Sequence, residues 1–207
     1  MAKNEKDKTK SRNVKEFNIV TIGVGGQGIL TLAGIVSEAA LKQGYDVKMS
    51  ELHGLAQRGG SIPCQVRFGE KIYSSLVKIG GADLVIAMEP LEALRAAKYA
   101  SPEKTILIMN THKIQPVAVT VLGKKYPELD EIKKELKNFF KEIIDVNATE
   151  IATKETGKSV TSNIYMLGLA SARGLIPIKR DVLLEAIKEN VPPKYFEINK
   201  KMFELAR

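Results

Sequence analysis

Across 207 residues there is no tryptophan, one cysteine (Cys64) and two histidines (His53 and His112). A single cysteine excludes an internal disulfide and any cysteine-ligated iron–sulfur cluster held by this chain alone. With only two histidines beside it, the ligand count argues against a structural zinc site. If redox chemistry is done here, its metal centres reside on another polypeptide. No apolar run approaches the roughly 20 residues that cross a bilayer. The charged opening stretch, Met1 to Glu16, lacks the apolar centre of a secretory signal. The expected location is therefore cytoplasmic. Also missing are G-x-x-x-x-G-K-[ST], which leaves ATP hydrolysis through a P-loop unsupported, and a serine in a nucleophile-elbow setting.

What is present fits a globular domain: 44% hydrophobic and 27% charged residues. The net charge of +8 raises the question of nucleic acid. Residues 1–16 carry six basic and three acidic side chains, so a tail contributes +3 of that total. The remainder is mixed-sign surface, as from Glu128 to Glu142, and no basic stripe is interleaved with aromatics. Nucleic acid is therefore not the expected partner. The Lys- and Glu-rich composition, poor in cysteine, resembles that of hyperthermophile proteins.

Hydrophobic patterning predicts one α/β domain over residues 16–207, behind a disordered, polar basic tail at 1–15. Phe17 to Ile22 reads as a buried strand. Gly28 to Gln43 reads as a helix with Ile29, Leu32, Ala33, Val36, Ala40 and Leu41 on its apolar face, and Tyr45 to Glu51 as a second strand. Residues 61–79 read as a hairpin, Ser61–Phe68 and Lys71–Ile79 around Gly69-Glu70. Further strands are expected at Ala82–Met88, Thr105–Met109, Val117–Leu122 and Ile143–Asn147. Helices are expected after Pro90, at Glu128–Glu142, at Ser162–Arg173 with Gly168 allowing close packing, at Asp181–Asn190 capped by Arg180 or Asp181, and at Lys194–Ala206. The result is a three-layer fold with a mostly parallel sheet, a Rossmann-like start, an inserted hairpin and a helical C-terminal segment.

Two glycine-rich segments follow the first two strands and so meet at the carboxyl edge of the sheet, where open α/β folds bind ligands. Gly23-Val24-Gly25-Gly26-Gln27-Gly28 has the spacing G-x-G-x-x-G between a strand and a helix. Three readings stay open: a dinucleotide site with Glu51 on the ribose, contact with an anion or phosphate at the helix start, or glycines serving close packing alone. The second segment is His53-Gly54-Leu55-Ala56-Gln57-Arg58-Gly59-Gly60-Ser61. It offers an imidazole, an amide and a guanidinium; Arg58 suits a carboxylate or phosphate, or pairs with Glu51 or Glu89. Glu89 and Asn110 end the next two strands, so four strand ends present polar groups on one edge. Cys64, within a strand, reads as buried packing rather than a nucleophile.

These segments resemble the gamma-type domain of 2-oxoacid:ferredoxin oxidoreductases. The likeness rests on G-x-G-G-Q-G at Gly23 to Gly28 and H-G-x-A-Q-R-G-G-S at His53 to Ser61. It extends through Ala82-Asp83-Leu84, Glu89-Pro90-Leu91-Glu92-Ala93-Leu94-Arg95 and Asn163-Ile164-Tyr165-Met166-Leu167-Gly168, with the Asn199 to Phe203 tail also similar. The form of the second motif points to the indolepyruvate branch, typified by archaeal enzymes. The resemblance implies an accessory subunit in a hetero-oligomer that oxidatively decarboxylates aryl pyruvates from aromatic amino acid catabolism, with coenzyme A, and reduces ferredoxin. It places thiamine diphosphate, magnesium and the iron–sulfur clusters on a large (alpha) subunit, with none bound and no catalytic residue contributed by this chain alone. The chain carries no G-D-G thiamine motif. Residues implied near cofactor are Gly23, Gly25, Gly26, Gln27, Gly28, His53, Gln57, Arg58, Gly59, Gly60, Ser61, Glu89 and Asn110, their crevice holding either coenzyme A phosphates or a loop of the partner subunit. The runner-up is a stand-alone NAD(P)-binding oxidoreductase.

Overall fold

A computed structural model describes residues 14–52, 60–115 and 125–206. Six strands form one sheet: β1 (Glu16–Val24), β2 (Asp46–Glu51), β3 (Ser61–Gly69), β4 (Leu84–Ala87), β5 (Ile106–Asn110) and β6 (Glu142–Val146). Their order is β2-β3-β1-β4-β5-β6. β1, β4, β5 and β6 run parallel; β3 is antiparallel to both neighbours, with Gly69 opposite Glu16 on one side and Asp46 on the other.

Seven α-helices lie among the described residues: α1 (Ile29–Lys42), α2 (Pro90–Ala96), α3 (Leu129–Leu136), α4 (Ala148–Thr156), α5 (Ser162–Ala172), α6 (Arg180–Asn190) and α7 (Phe196–Leu205). Strand side chains alternate between two apolar layers. Ile19, Leu84, Ile86, Ile108 and Ile144 pack with α1 and α4 to α7. Val20, Ile22, Val85, Ala87, Leu107 and Met109 pack with α2 and α3. This is the three-layer α/β fold with a mostly parallel sheet and a helical C-terminal part.

Several boundaries shift for identifiable reasons. Lys71–Ile79 is not a strand, because β3 already has partners on both edges; the antiparallel hairpin is made by β2 and β3. Side chains instead satisfy this segment's backbone: Arg67 donates to the carbonyls of Ser74 and Leu76 at 2.8 and 3.1 Å, and Asp46 takes the Ile72 amide at 2.8 Å. Gln65 accepts the Val77 amide. Ile72 and Val77 are buried five positions apart with no buried residue between them, so the segment's burial does not follow the two-residue period of a strand.

On α1 the buried face includes Ile35 and Ala39, while Leu41 is exposed. The expected helix from Glu128 stops at Leu136 so that the chain can enter β6. The helix Ala148–Thr156 was not expected, although Asn147 and Glu150 carry its start signal. The Asn147 side chain accepts the Glu150 amide at 3.2 Å.

Neither Arg180 nor Asp181 caps α6; that position is Lys179, without a side-chain cap. Arg180 reaches the C-terminal helix instead, donating to the Phe203 carbonyl at 2.9 Å and lying over its ring at 4.4 Å. Gly168 permits the close approach expected of it. A Cβ there would sit 2.4 Å from the Phe203 carbonyl oxygen, so α5 and α7 approach backbone to backbone. Residues 1–13 and the expected strand Val117–Leu122 lie outside the described residues.

Candidate functional site

The glycine loop leaves β1 and enters α1 through Gly28, whose φ of 72° is the left-handed conformation that glycine adopts without strain. A Cβ on Gly28 would fall 2.3 Å from Nδ2 of Asn163, which donates to the Gly28 carbonyl at 3.1 Å. The first glycine motif and the start of α5 are thus pinned together.

Gln27 folds back over the loop. Its Oε1 accepts the Val24 amide at 2.8 Å and its Nε2 donates to the Met88 carbonyl at 2.8 Å, tying the end of β1 to the end of β4. Asn110 at the end of β5 donates to that same carbonyl at 3.2 Å and to the Thr149 hydroxyl of α4 at 2.8 Å. Gly25 donates its amide to the Gly60 carbonyl at 3.1 Å, which joins the two glycine motifs. The strand ends at this edge are therefore linked laterally by side-chain amides and backbone.

Two buried carboxylates lie one layer further in. Glu89 is fully buried and caps α2, its Oε2 accepting the amides of Leu91 and Glu92 at 2.7 and 3.1 Å. Its Oε1 takes the Ile114 amide at 3.3 Å and the Tyr126 hydroxyl. Glu92, three residues on and also fully buried, accepts from the Ser61 hydroxyl and from Arg95. Burial holds the Glu92 carboxyl above the usual glutamate range, while Ser61 and Arg95 pull it partly back. Burial, followed by the Glu89 partner, raises the Tyr126 hydroxyl well above the ordinary tyrosine value, so it remains a donor.

Gly23, Gly25, Gly26, Gln27, Gly28, Gly60, Ser61, Glu89 and Asn110 therefore gather on one edge. Gln27, Ser61, Glu89 and Asn110 direct their side chains into the protein and brace it. His53, Gln57, Arg58 and Gly59 lie outside the described residues. Glu51 ends β2 opposite Cys64. With β3 between β2 and β1, it stands two strand spacings, roughly 10 Å, from the strand that carries the glycine loop. The adjacency needed to place an acid on a dinucleotide ribose is not made.

Glu92, Tyr126, Thr149 and Asn163 were not singled out as site residues by sequence reasoning. The signal for Glu92 was its place three residues after Glu89, the spacing of a capping box.

Two clefts open beside the glycine loop. One of about 80 Å³ is bordered by Gly26, Gln27, His112, Ile114, Thr149 and Val160. Beyond Val160, a second of about 240 Å³ lies among Gly28, Thr31, Lys158, Ile164, Tyr195 and Asn199. Lys158 stands over the Tyr195 ring at 4.1 Å, giving that cleft a cation on an otherwise largely apolar wall. No group of three or more His, Cys, Asp or Glu able to hold a metal ion occurs among the described residues.

Residues 18–207 match the family described as pyruvate ferredoxin/flavodoxin oxidoreductase. The chain is 44% identical over 189 residues to indolepyruvate oxidoreductase subunit IorB of Archaeoglobus fulgidus, covering 91% of this chain and 92% of that one. It is 40% identical to the subunit of the same name from Thermococcus kodakarensis, over 93% and 95% of the two chains. Its fold is similar to that of pyruvate oxidoreductase subunit PORC from Thermotoga maritima, with a TM-score of 0.66, 23% identity and coverage of 92% and 94%. It also resembles part of a 2-oxoglutarate:ferredoxin oxidoreductase from Magnetococcus marinus, with a TM-score of 0.69 and 17% identity. That match spans 92% of this chain and 30% of the longer one.

Proposed function

The chain belongs to the pyruvate ferredoxin/flavodoxin oxidoreductase family, and from that premise we propose that it is the small, accessory subunit of an indolepyruvate-type 2-oxoacid:ferredoxin oxidoreductase. The observation that carries this reading is 44% identity to an indolepyruvate oxidoreductase subunit over nine-tenths of both chains.

In this reading a large alpha subunit binds thiamine diphosphate, magnesium and the iron–sulfur clusters. The assembled enzyme converts aryl pyruvates and coenzyme A to acyl-coenzyme A, carbon dioxide and reduced ferredoxin in the cytoplasm. A single buried cysteine agrees with clusters held elsewhere. No helix among the described residues is long and apolar enough to cross a membrane.

The carboxyl edge of the sheet is this subunit's contribution to the shared site. Gly23 to Gly28 and His53 to Ser61 shape the approach for coenzyme A, with Arg58 as the phosphate partner. In support, the Magnetococcus marinus enzyme with a similar domain is described with coenzyme A bound. The inward-turned Gln27, Glu89 and Asn110 then hold the edge's shape, leaving backbone amides and Arg58 for the ligand.

Reconstitution with the large subunit tests this. Reduction of a viologen dye by indolepyruvate and coenzyme A should require both chains. Arg58→Ala should raise the KM for coenzyme A while assembly persists. Lost assembly with an unchanged KM would make Arg58 an interface residue instead.

A further inference from the structure

Residues 70–81 cross the outside of β3 without regular structure, yet they are firmly held. Buried Ile72 and Val77 anchor the segment, and Arg67, Gln65 and Asp46 bond its backbone at Ile72, Ser74, Leu76 and Val77. Between and beyond those anchors, three large apolar side chains face solvent: Tyr73 is 84% exposed, Leu76 57% and Ile79 82%. A segment ordered by side-chain bonds while showing three such residues within seven positions is a preorganised contact surface.

Its surroundings are positive. Lys71 and Lys78 lie on the segment, and Lys98 is brought alongside by the Gly80 amide, which donates to its carbonyl at 3.1 Å. Lys71 and Lys98 lie over the rings of Tyr73 and Tyr99 at 5.1 and 4.9 Å, and no ion pair involves any of the three among the described residues. Nearby carboxylates are already committed: Glu16 to Arg67 at 2.8 Å, with Lys78 also within its field, Asp83 to Lys104 at 2.8 Å and Asp46 to the Ile72 amide. Glu70 is the exception.

We propose that the 70–81 segment is a docking surface for the large subunit of the oxidoreductase, which would present an apolar recess for Tyr73, Leu76 and Ile79 rimmed by carboxylates facing Lys71, Lys78 and Lys98. The proposal rests on the subunit reading above. A second copy of this chain fits poorly, since the same lysine rims would meet each other.

The experiment is co-expression of the tagged full chain with its large subunit, followed by affinity measurement. Tyr73→Ser/Ile79→Ser should weaken association by about tenfold or more. Lys71→Glu/Lys78→Glu should weaken it and flatten its dependence on salt. Phe139→Ser, at an exposed apolar residue outside the segment, should assemble as the parent does, and matching urea unfolding curves check that all variants fold. Parent-like assembly of Tyr73→Ser/Ile79→Ser would overturn the docking surface while leaving the subunit reading intact. Failure of the unaltered chain to bind the large subunit would overturn both. A homodimer of the isolated chain that the same double substitution dissociates would make a second copy the occupant and overturn the proposal.

Discussion

The Tyr126 hydroxyl donates to Oε1 of Glu89, the same oxygen that takes the amide of Ile114. One buried carboxylate thus joins the described residues on either side of positions 116–124 while its other oxygen caps α2. Glu92, one turn along, holds the end of the second glycine motif through Ser61.

Glu89→Gln replaces one accepting oxygen with a donor that faces other donors. The expected cost is about 1–3 kcal/mol. Urea unfolding should show a lower midpoint with an unchanged slope, since the surface exposed on unfolding stays the same.

Glu92 gives a pH signature. Its carboxyl is held above the ordinary 4.5 by burial, so the folded chain binds this proton more tightly than the unfolded chain does. The corresponding stability is fully present below 4.5 and is lost as pH rises through the folded value. Glu92→Gln removes that titration and keeps an acceptor for Ser61. The variant should therefore lose less stability than the parent between acid and neutral pH, as read by chemical unfolding at a series of pH values.

Gly28 combines two constraints that a double-mutant cycle can separate. Gly28→Ala should cost about 1–2 kcal/mol from its left-handed backbone, plus the collision with Asn163. In an Asn163→Ser background the collision disappears and only the backbone part remains. The substitutions should accordingly be less than additive in thermal unfolding.

Cys64 is fully buried, and desolvation followed by the charge of Glu51 pushes its thiol up to about 11. Native protein should resist iodoacetamide at neutral pH. Alkylation should proceed only as the chain unfolds, which makes the thiol a label for unfolding rate.

The layers of this fold were legible because strand and helix periods differ and the motifs sit where one gives way to the other. Glu89 and Asn110 could be placed at strand ends from sequence. Their inward orientation could not, since it depends on Met88, Thr149 and Tyr126 arriving from distant parts of the chain. Lys71–Ile79 reads as a strand because Ile72, Tyr73, Leu76, Val77 and Ile79 crowd a strand-length run, but its order arises from side-chain anchoring rather than from a ladder. Only the pairing of β3 on both edges distinguishes the two. The same pairing explains why Glu51 looked like a ribose-binding acid: β2 follows β1 in the chain but is not its neighbour in the sheet.

The contact between Gly168 and Phe203 also sets a timetable for synthesis. The glycine loop is among the first parts of the described chain to leave the ribosome. Its brace, Asn163, sits on a helix whose flank is completed only when the Phe196–Leu205 helix arrives. At about 5–20 residues per second, that wait is roughly nine to thirty-six seconds. Through it the nascent chain carries an unfinished edge, so the loop that is made early receives its last brace late.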